Sequence, residues 1–445
     1  MTADADRRIM IDGFNLALPR GTGVSTYGYS LANALKGMGW QVDGLYGLRM
    51  GKSRKLRETI FFESMGGDHV TKAPLPGSFA WTKEVAQIAW APRGKLVEQS
   101  GKVITDAFKY RLPEFDRILA IPDVFDRGAR HFKRFGQFLT VRVPNPPKIM
   151  HWTYPVPVRM AGVRNIYTLH DLVPLRLPYA SLDNKRFYFK LIREIVKTAD
   201  HIVTVSEASK TDIEALYKMA PDRITNTYQA VRVAPQIRAT SEAEIADTVR
   251  GVFNLPYQGY FLFFGAVEPK KNVGRLIEAY LSLATETQLV IVGTKAWQAD
   301  EELRLLQRDE TAPLRASFRR VRRLGYLPRS LLMRLARGAR AVAFPSLYEG
   351  FGLPVLEAMQ LGVPVMTSRV SSLPEVAGDA AMYVDPYDVG DIAAGLRKLD
   401  TDAELRARLS AAGPLQAEKY SVEAYQARLT GMYDDILARR RRIFL

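Results

Sequence analysis

A chain of 445 residues is too long for one hydrophobic core and suits two domains of about 200 residues each. It has no cysteine, which excludes disulfides, zinc–thiolate sites and thiol nucleophiles, and its 47% hydrophobic and 25% charged residues are ordinary for a soluble globular protein. The net charge of +16 is unevenly placed: residues 1–240 hold 36 Lys and Arg against 22 Asp and Glu, whereas residues 241–445 hold 27 against 25. Such asymmetry calls for an anionic partner of the first half. Zinc-finger spacing, an aromatic RNA-binding signature and a basic zipper are all missing, so an anionic membrane surface is expected rather than nucleic acid. The start lacks the apolar stretch of a signal peptide, and no run approaches the roughly 18 apolar residues of a membrane span. The expected place is the cytoplasm, peripherally on the inner face of the plasma membrane.

From the amino end, Arg8–Phe14 reads as a strand, followed by a glycine loop and a helix over Ser25–Lys36. Residues 49–148 are less regular, with basic clusters at Lys52–Arg57, Arg127–Arg134 and Arg142–Lys148. Strands Arg164–Leu169 and His201–Val205 flank an amphipathic helix near Lys185–Thr198, and the polar interval Ala234–Gln258 reads as the linker. The second half is cleaner. Apolar strands at Tyr260–Phe264, Gln288–Val292, Ala341–Phe344 and Pro364–Thr367 alternate with helices at Val273–Leu283, Glu301–Arg308, Ser330–Arg337 and Pro354–Leu361. Alternation of this kind implies parallel sheets covered on both faces. A last helix from Val422 should cross back to the first domain and end in the basic tail Arg439–Leu445. The expected units are 1–240, 241–420 and this returning segment, 421–445.

One stretch is more informative than any other, Glu349-Gly-Phe-Gly-Leu-Pro-Val-Leu-Glu357 between a strand and a helix. Gly350 and Gly352 let the backbone approach a ligand, Pro354 suits a helix start, and the first turn offers unpaired N–H groups to an anion. Two carboxylates, Glu349 and Glu357, flank that place as hydroxyl acceptors, an arrangement suited to a sugar diphosphate nucleoside. The string resembles the donor-binding signature of family-4 retaining glycosyltransferases of the GT-B fold. So do Gly265-Ala-Val-Glu-Pro-Lys-Lys-Asn272, Leu324-Gly-Tyr-Leu-Pro328, Phe344-Pro-Ser346, Ser371–Ala380 and Val384-Asp-Pro386. Gly21-Thr-Gly-Val24, Thr168-Leu-His-Asp-Leu172 and Val205-Ser-Glu207 agree in the first half, and the order resembles the bacterial polysaccharide mannosyltransferase branch.

That resemblance implies an α/β fold of two Rossmann-like domains facing across a cleft, acceptor first and donor second. Lys271, with Lys270, is implied to neutralise the donor diphosphate; many relatives place an arginine where this chain has Ala266. Glu357 is implied to accept the ribose hydroxyls and Glu349 to contact the transferred sugar. The backbone of Gly350, Phe351, Gly352 and Leu353 would hold phosphate and sugar oxygens, and Tyr326 and Leu327 would cradle the base. From the first domain, His170 would lie beside the sugar, and Gly21 and Gly23 would approach the diphosphate or the acceptor. His170, Lys271 and Glu349 form the implied catalytic set, with no cofactor and no metal. The implied reaction moves a hexose, first guess mannose from GDP-mannose, onto a saccharide or lipid-linked saccharide in surface polysaccharide (lipopolysaccharide O-antigen) synthesis. Rhamnose, fucose and glucose with other nucleotides follow. Other classes fit less of the chain. A glycoside hydrolase leaves the glycine loop and the lysine pair without an anion, a nucleotide-sugar epimerase matches Glu349–Pro386 less well, and a non-enzymatic membrane or nucleic-acid adaptor accounts only for charge. Oligomeric state is left open.

Overall fold

The structure, a computed structural model, describes residues 7–19, 23–67, 78, 91–109, 111–306 and 320–439. Gly21 and the tail beyond Arg439 lie outside the described residues. Two large sheets account for the strand signals. The first runs, edge to edge, Ile224–Asn226, His201–Thr204, Arg164–Thr168, Ile149–Trp152, Arg8–Asp12, Gln41–Tyr46, Arg117–Ala120 and Lys95–Val97. All its pairings are parallel except the last, where Lys95–Val97 runs against Arg117–Ala120. The second is wholly parallel and runs Val321–Leu324, Gln288–Val292, Tyr260–Phe264, Ala341–Phe344, Val365–Ser368 and Met382–Val384. Central strands such as Tyr260–Phe264 are buried throughout, as both faces of a parallel sheet covered by helices require.

Strand order decides where a ligand can sit. In the first sheet the chain starts at Arg8–Asp12, moves outward one way, and later returns at Ile149–Trp152 to move outward the other way. In the second, the same reversal falls between Tyr260–Phe264 and Ala341–Phe344. Loops leaving neighbouring strands diverge at such points, so a crevice opens beyond the strands' carboxyl ends, where open α/β sheets bind ligands.

Helices Gly23–Gly37 and Lys185–Thr198 cover the first sheet; the latter buries Tyr188, Leu191, Ile192, Ile195 and Val196 and is capped by the Asn184 side chain. The final helix, Val422–Ala438, returns to the first half. Its Gln426 donates to the Ala34 carbonyl at 3.0 Å, and Tyr433 packs on Trp40 and hydrogen-bonds His151.

The polar interval expected as a linker is instead largely helical, at Pro235–Ala239 and Glu242–Phe253. Ser241 and Glu244 form a reciprocal capping box there, and Ile245, Val249 and Phe253 are buried on one face. The helix expected over Glu301–Arg308 is shorter, Ala299–Glu302 followed by a tight turn at Arg304–Leu306, and residues 307–319 lie outside the described residues. The irregular region of the first half contributes Arg117–Ala120 and Lys95–Val97 to the sheet edge.

Candidate active site

At the reversal point of the second sheet, the strand Tyr260–Phe264 delivers Gly265 and then a short turn, Pro269–Lys271. The neighbouring strand, Ala341–Phe344, delivers the loop ending in Gly352, which caps helix Leu353–Gln360 with φ of +102°. The positive φ explains why glycine stands there. Lys271 Nζ meets Glu349 Oε1 at 2.5 Å, both side chains nearly buried, and the ammonium lies 5.0 Å from the Phe344 ring. Ser371 and Ser372 fix the Glu349 backbone by accepting its N–H and donating to its carbonyl. Lys270 contacts Glu268 at 3.4 Å. Burial works against its charge, but Glu268, Asp171 and Glu349 together hold the ammonium pKa above its usual value.

Glu357 lies one turn into the helix and is held by Arg329 at 2.7 Å. Each carboxylate therefore commits Oε1 to a cation, and neither Oε2 has a hydrogen-bond partner among the described residues. Sequence reasoning named both carboxylates but missed Arg329, which begins the helix Arg329–Arg337 beyond the loop of Tyr326 and Leu327. Tyr326 itself is 72% exposed, outside the core. Among the described residues, the N–H groups of Gly350, Phe351 and Gly352 have no acceptor. The Phe351 side chain points away, packing edge-on against Tyr420 at 5.5 Å. Only its backbone is offered to a ligand.

The first half meets this loop directly. A Cβ on Gly350 would come within 2.7 Å of the His170 carbonyl oxygen, so a side chain there would force the halves apart. A Cβ on Gly23, at the start of helix Gly23–Gly37, would lie 3.9 Å from Leu353 Cδ1. His170 follows strand Arg164–Thr168; its Nε2 bonds the Thr153 carbonyl at 2.8 Å and its ring meets Tyr27 edge-on at 4.8 Å. A carbonyl only accepts, so Nε2 carries the proton. Burial lowers the His170 pKa against the opposing effects of Thr153 and Asp171. The imidazole therefore favours its neutral form, with Nδ1 an acceptor that has no partner among the described residues. Asp171 caps its own turn, accepting the Val173 N–H at 3.0 Å.

Thus the loops of Lys270, Lys271, Glu349 to Leu353 and His170 converge, with Gly23 beside them, while Glu357 and Tyr326 lie further along the second half. The description "Glycosyl transferases group 1" matches residues 250–416, and "Glycosyltransferase Family 4" matches residues 91–234. The chain is 37% identical over 265 residues to O-antigen chain mannosyltransferase B of Escherichia coli, covering 58% of this chain and 67% of that one. The chain belongs to the group 1, family 4 glycosyltransferases. This glycosyltransferase is also 31% identical over 275 residues to the serotype-specific mannosyltransferase WbdA of Escherichia coli, where the match covers 61% of this chain but 33% of that one. Its fold is that of Anabaena HepE, solved in complex with UDP and glucose, with a TM-score of 0.63 at 13% identity over 96% of this chain and 100% of that one. The GT-B architecture expected from the sequence is present, and with it the enzyme class.

The glycosyltransferase also holds one buried carboxylate, joining two loops of the first sheet, that its sequence did not announce. Asp12, buried at the end of its strand, accepts the Phe14 N–H at 3.1 Å and the Thr153 N–H by a shorter bond. Its partner lies 141 residues away, so no local motif could have revealed it.

Proposed function

We propose that the protein transfers mannose from GDP-mannose, with retention, to a saccharide or lipid-linked saccharide in surface polysaccharide synthesis. The names of the relatives support the sugar. The observation that carries the chemistry is the Lys271–Glu349 pair at 2.5 Å, followed in the same loop by N–H groups of Gly350 to Gly352 that have no acceptor among the described residues, where the His170 backbone closes on Gly350. In this reading residues 1–240 receive the acceptor, 241–420 hold the donor, and 421–445 return to the first unit.

The diphosphate lies against the N-terminus of helix Leu353–Gln360 and beside Lys270 and Lys271, whose fixed charge stabilises the leaving group without reorganisation. Glu357 Oε2 takes a ribose hydroxyl, Tyr326 and Leu327 border the base, and Glu349 Oε2 and His170 Nδ1 hold hydroxyls of the transferred sugar. The bond from C1 to the diphosphate oxygen breaks as the acceptor oxygen bonds to C1 on the same face. The acceptor's proton passes to the departing phosphate. The protein supplies the positive charge itself, and the reaction requires no metal.

Incubation with GDP-mannose and a mannose-ended acceptor, followed by NMR of the new linkage, tests the proposal. An α-linked product formed in EDTA is expected; an inverted product, or strict need for a divalent ion, contradicts it. HepE in complex with UDP and glucose favours UDP-glucose as the second reading. A thermal-shift series with GDP, UDP and dTDP separates the two, because a ligand at a hundred times its Kd adds about 2.7 kcal/mol to stability.

The basic first half fits peripheral attachment to anionic lipid. Helix Val124–Phe135 carries Arg127, Arg130, Lys133 and Arg134 beside Phe135, which is 46% exposed. Among the described residues no helix is long and apolar enough to cross a membrane. Flotation with anionic vesicles at low salt, lost at high salt and with neutral vesicles, is expected. Equal behaviour with both lipids would leave the charge asymmetry without this partner.

A further inference from the structure

The second sheet's reversal point is occupied by the donor loops, whereas the matching point of the first sheet has no ligand assigned to it. Two strands flank it, Arg8–Asp12 and Ile149–Trp152, parallel and directly paired. The residues just beyond their carboxyl ends are Gly13-Phe14 and Thr153-Tyr154. Phe14 and Tyr154 stack, with ring centroids 5.8 Å apart and planes 30° from parallel. Phe125 backs Phe14 at 4.9 Å. Both residues of the pair are mostly buried but keep part of their surface accessible.

The stack is built rather than incidental. Asp12 grips both loops at once, accepting N–H bonds from Phe14 and Thr153, and so fixes the two aromatic residues side by side. The Thr153 carbonyl in turn receives the His170 Nε2 proton, which places that imidazole on the next loop along. Gly13 is needed for the same geometry, because a Cβ there would come within 2.4 Å of the Tyr46 ring. Burial pushes the Tyr154 hydroxyl up to about 12, with Asp183 and Asp171 adding to the effect and Lys270 of the second half opposing it. Tyr154 directly follows Thr153, whose carbonyl holds His170, and so stands beside the His170 loop. Its hydroxyl has no hydrogen-bond partner among the described residues.

We propose that Phe14 and Tyr154 form the platform on which the terminal sugar ring of the acceptor lies, with Asp12 as the positioning residue that holds the two rings in register. The inference rests on the glycosyltransferase reading of the neighbouring donor loops. A pyranose presents axial C–H groups on one face and hydroxyls around its edge. Stacked aromatic rings remove the C–H face from water, and the Tyr154 hydroxyl supplies a polar partner for the edge. A neutral sugar is the class that fits, since the partly accessible rings offer area and a polar tip but no cation of their own. The platform lies on the first sheet's side of the cleft and the diphosphate loops on the other, so the acceptor hydroxyl and C1 of the donor approach each other between them.

The test uses the full chain, GDP-mannose as donor, and methyl α-mannoside and a short α-mannan oligosaccharide as acceptors. Phe14→Ala and Tyr154→Ala should each raise the acceptor KM at least tenfold while the GDP Kd from calorimetry stays within twofold of the wild type. Phe14→Tyr, which keeps a ring, should restore the acceptor KM to within about threefold. Asp12→Asn, which keeps the shape but turns one of the two accepting oxygens into an NH2 and so loses one of the N–H bonds, should raise the acceptor KM with the GDP Kd again unchanged. Thermal unfolding of each variant in GDP identifies any that do not fold, and Phe14→Tyr carries the comparison if Phe14→Ala is one of them. Wild-type protein that transfers mannose while both alanine variants keep its acceptor KM overturns the platform alone. A GDP Kd that worsens in parallel with the acceptor KM also overturns it, by placing the rings on the donor. Wild-type protein that neither binds GDP nor transfers mannose overturns the functional reading, and the platform falls with it.

Discussion

Lys271 and Glu349 were legible as single residues, because each sits in a glycine-bearing loop after an apolar strand. Their pairing was not, since 78 residues separate them and nothing local links the two loops. The pairing changes what their substitution does. Lys271→Ala removes the charge proposed to face the diphosphate and also strands a nearly buried carboxylate, so kcat should fall by about 10²–10³-fold, the usual cost of one preorganised electrostatic contact to a developing anion. Steady-state kinetics check this, and a variant keeping a third of wild-type turnover would assign the task to Lys270. Glu349→Gln should lower kcat more than it raises the donor KM, whereas Glu357→Ala should act chiefly on donor binding, because the ribose is remote from the reacting bond. The Arg329 partner adds that Glu357→Ala also releases a guanidinium beside the base loop. Asp12 and the stack it organises were invisible to sequence reading for the same reason as the ion pair: the contacts join loops far apart in the chain.

Elements with a strong period were read to within a residue or two. The donor helix runs Leu353–Gln360 against an expected Pro354–Leu361, and the strand Tyr260–Phe264 is unchanged. The interval taken as linker was misread because its polar face dominates composition, although Ser241 and Glu244 carried a helix-start signal. The returning helix Val422–Ala438 contributes a buried polar chain. Tyr433 bonds His151 Nδ1 at 2.6 Å, His151 Nε2 bonds the Thr168 hydroxyl at 2.8 Å, and Thr168 bonds the Tyr27 hydroxyl at 2.9 Å. Burial, with His201 and His170 adding to it, pushes the His151 pKa down to about 3. Between that value and the ordinary 6.5 the native state binds fewer protons than the unfolded chain. Its contribution is therefore intact above pH 6.5 and is lost as the pH falls, with a slope approaching 1.4 kcal/mol per unit inside the window. His201, pushed down to about 4, acts in the same sense, and Asp12, raised to about 6 by burial, opposes it between pH 6 and 4. Denaturant titrations at several pH values should show a shallower loss for His151→Gln than for the wild type. Identical slopes would mean that His151 does not report on unfolding. Tyr433→Phe leaves a buried ring nitrogen unpaired and should cost about 1–3 kcal/mol at pH 7.

Across the molecule, the two halves are closed on each other by specific contacts. Glu375 of the second half accepts the N–H groups of Glu207 at 2.9 Å and Ala208 at 3.1 Å, at the start of a first-half helix. The Tyr348 hydroxyl donates to Asp212, and Leu347 and Tyr348 pack with Val173, Leu177 and Ala180. Two Rossmann-like sheets were legible from alternating patterns, but these clasps depend on how the sheets face, which periodicity does not encode. Glu375→Ala should favour an open cleft, seen as a larger radius of gyration by small-angle scattering and a weaker donor KM at nearly unchanged stability. A variant scattering identically to the wild type would remove Glu375 from the closing contacts.

The chain passes between the halves twice, and the passages lie side by side. Gln360 ties down the first by bonding the Val231 carbonyl at 2.7 Å and the Val233 N–H at 3.0 Å, and the Tyr420 hydroxyl ties the second to the Glu375 carbonyl at 2.6 Å. Tyr228 and Tyr420 meet edge-on at 5.2 Å between them. Two adjacent crossings of the chain, each tied down, would act as two pins of one door and favour rotation about the line between them. The third ring in that joint is Phe351, whose neighbours Gly350 and Gly352 belong to the loop proposed to hold the donor. The gatepost and the latch would then be one packed piece, so that ordering the glycine loop would also set the angle of the door.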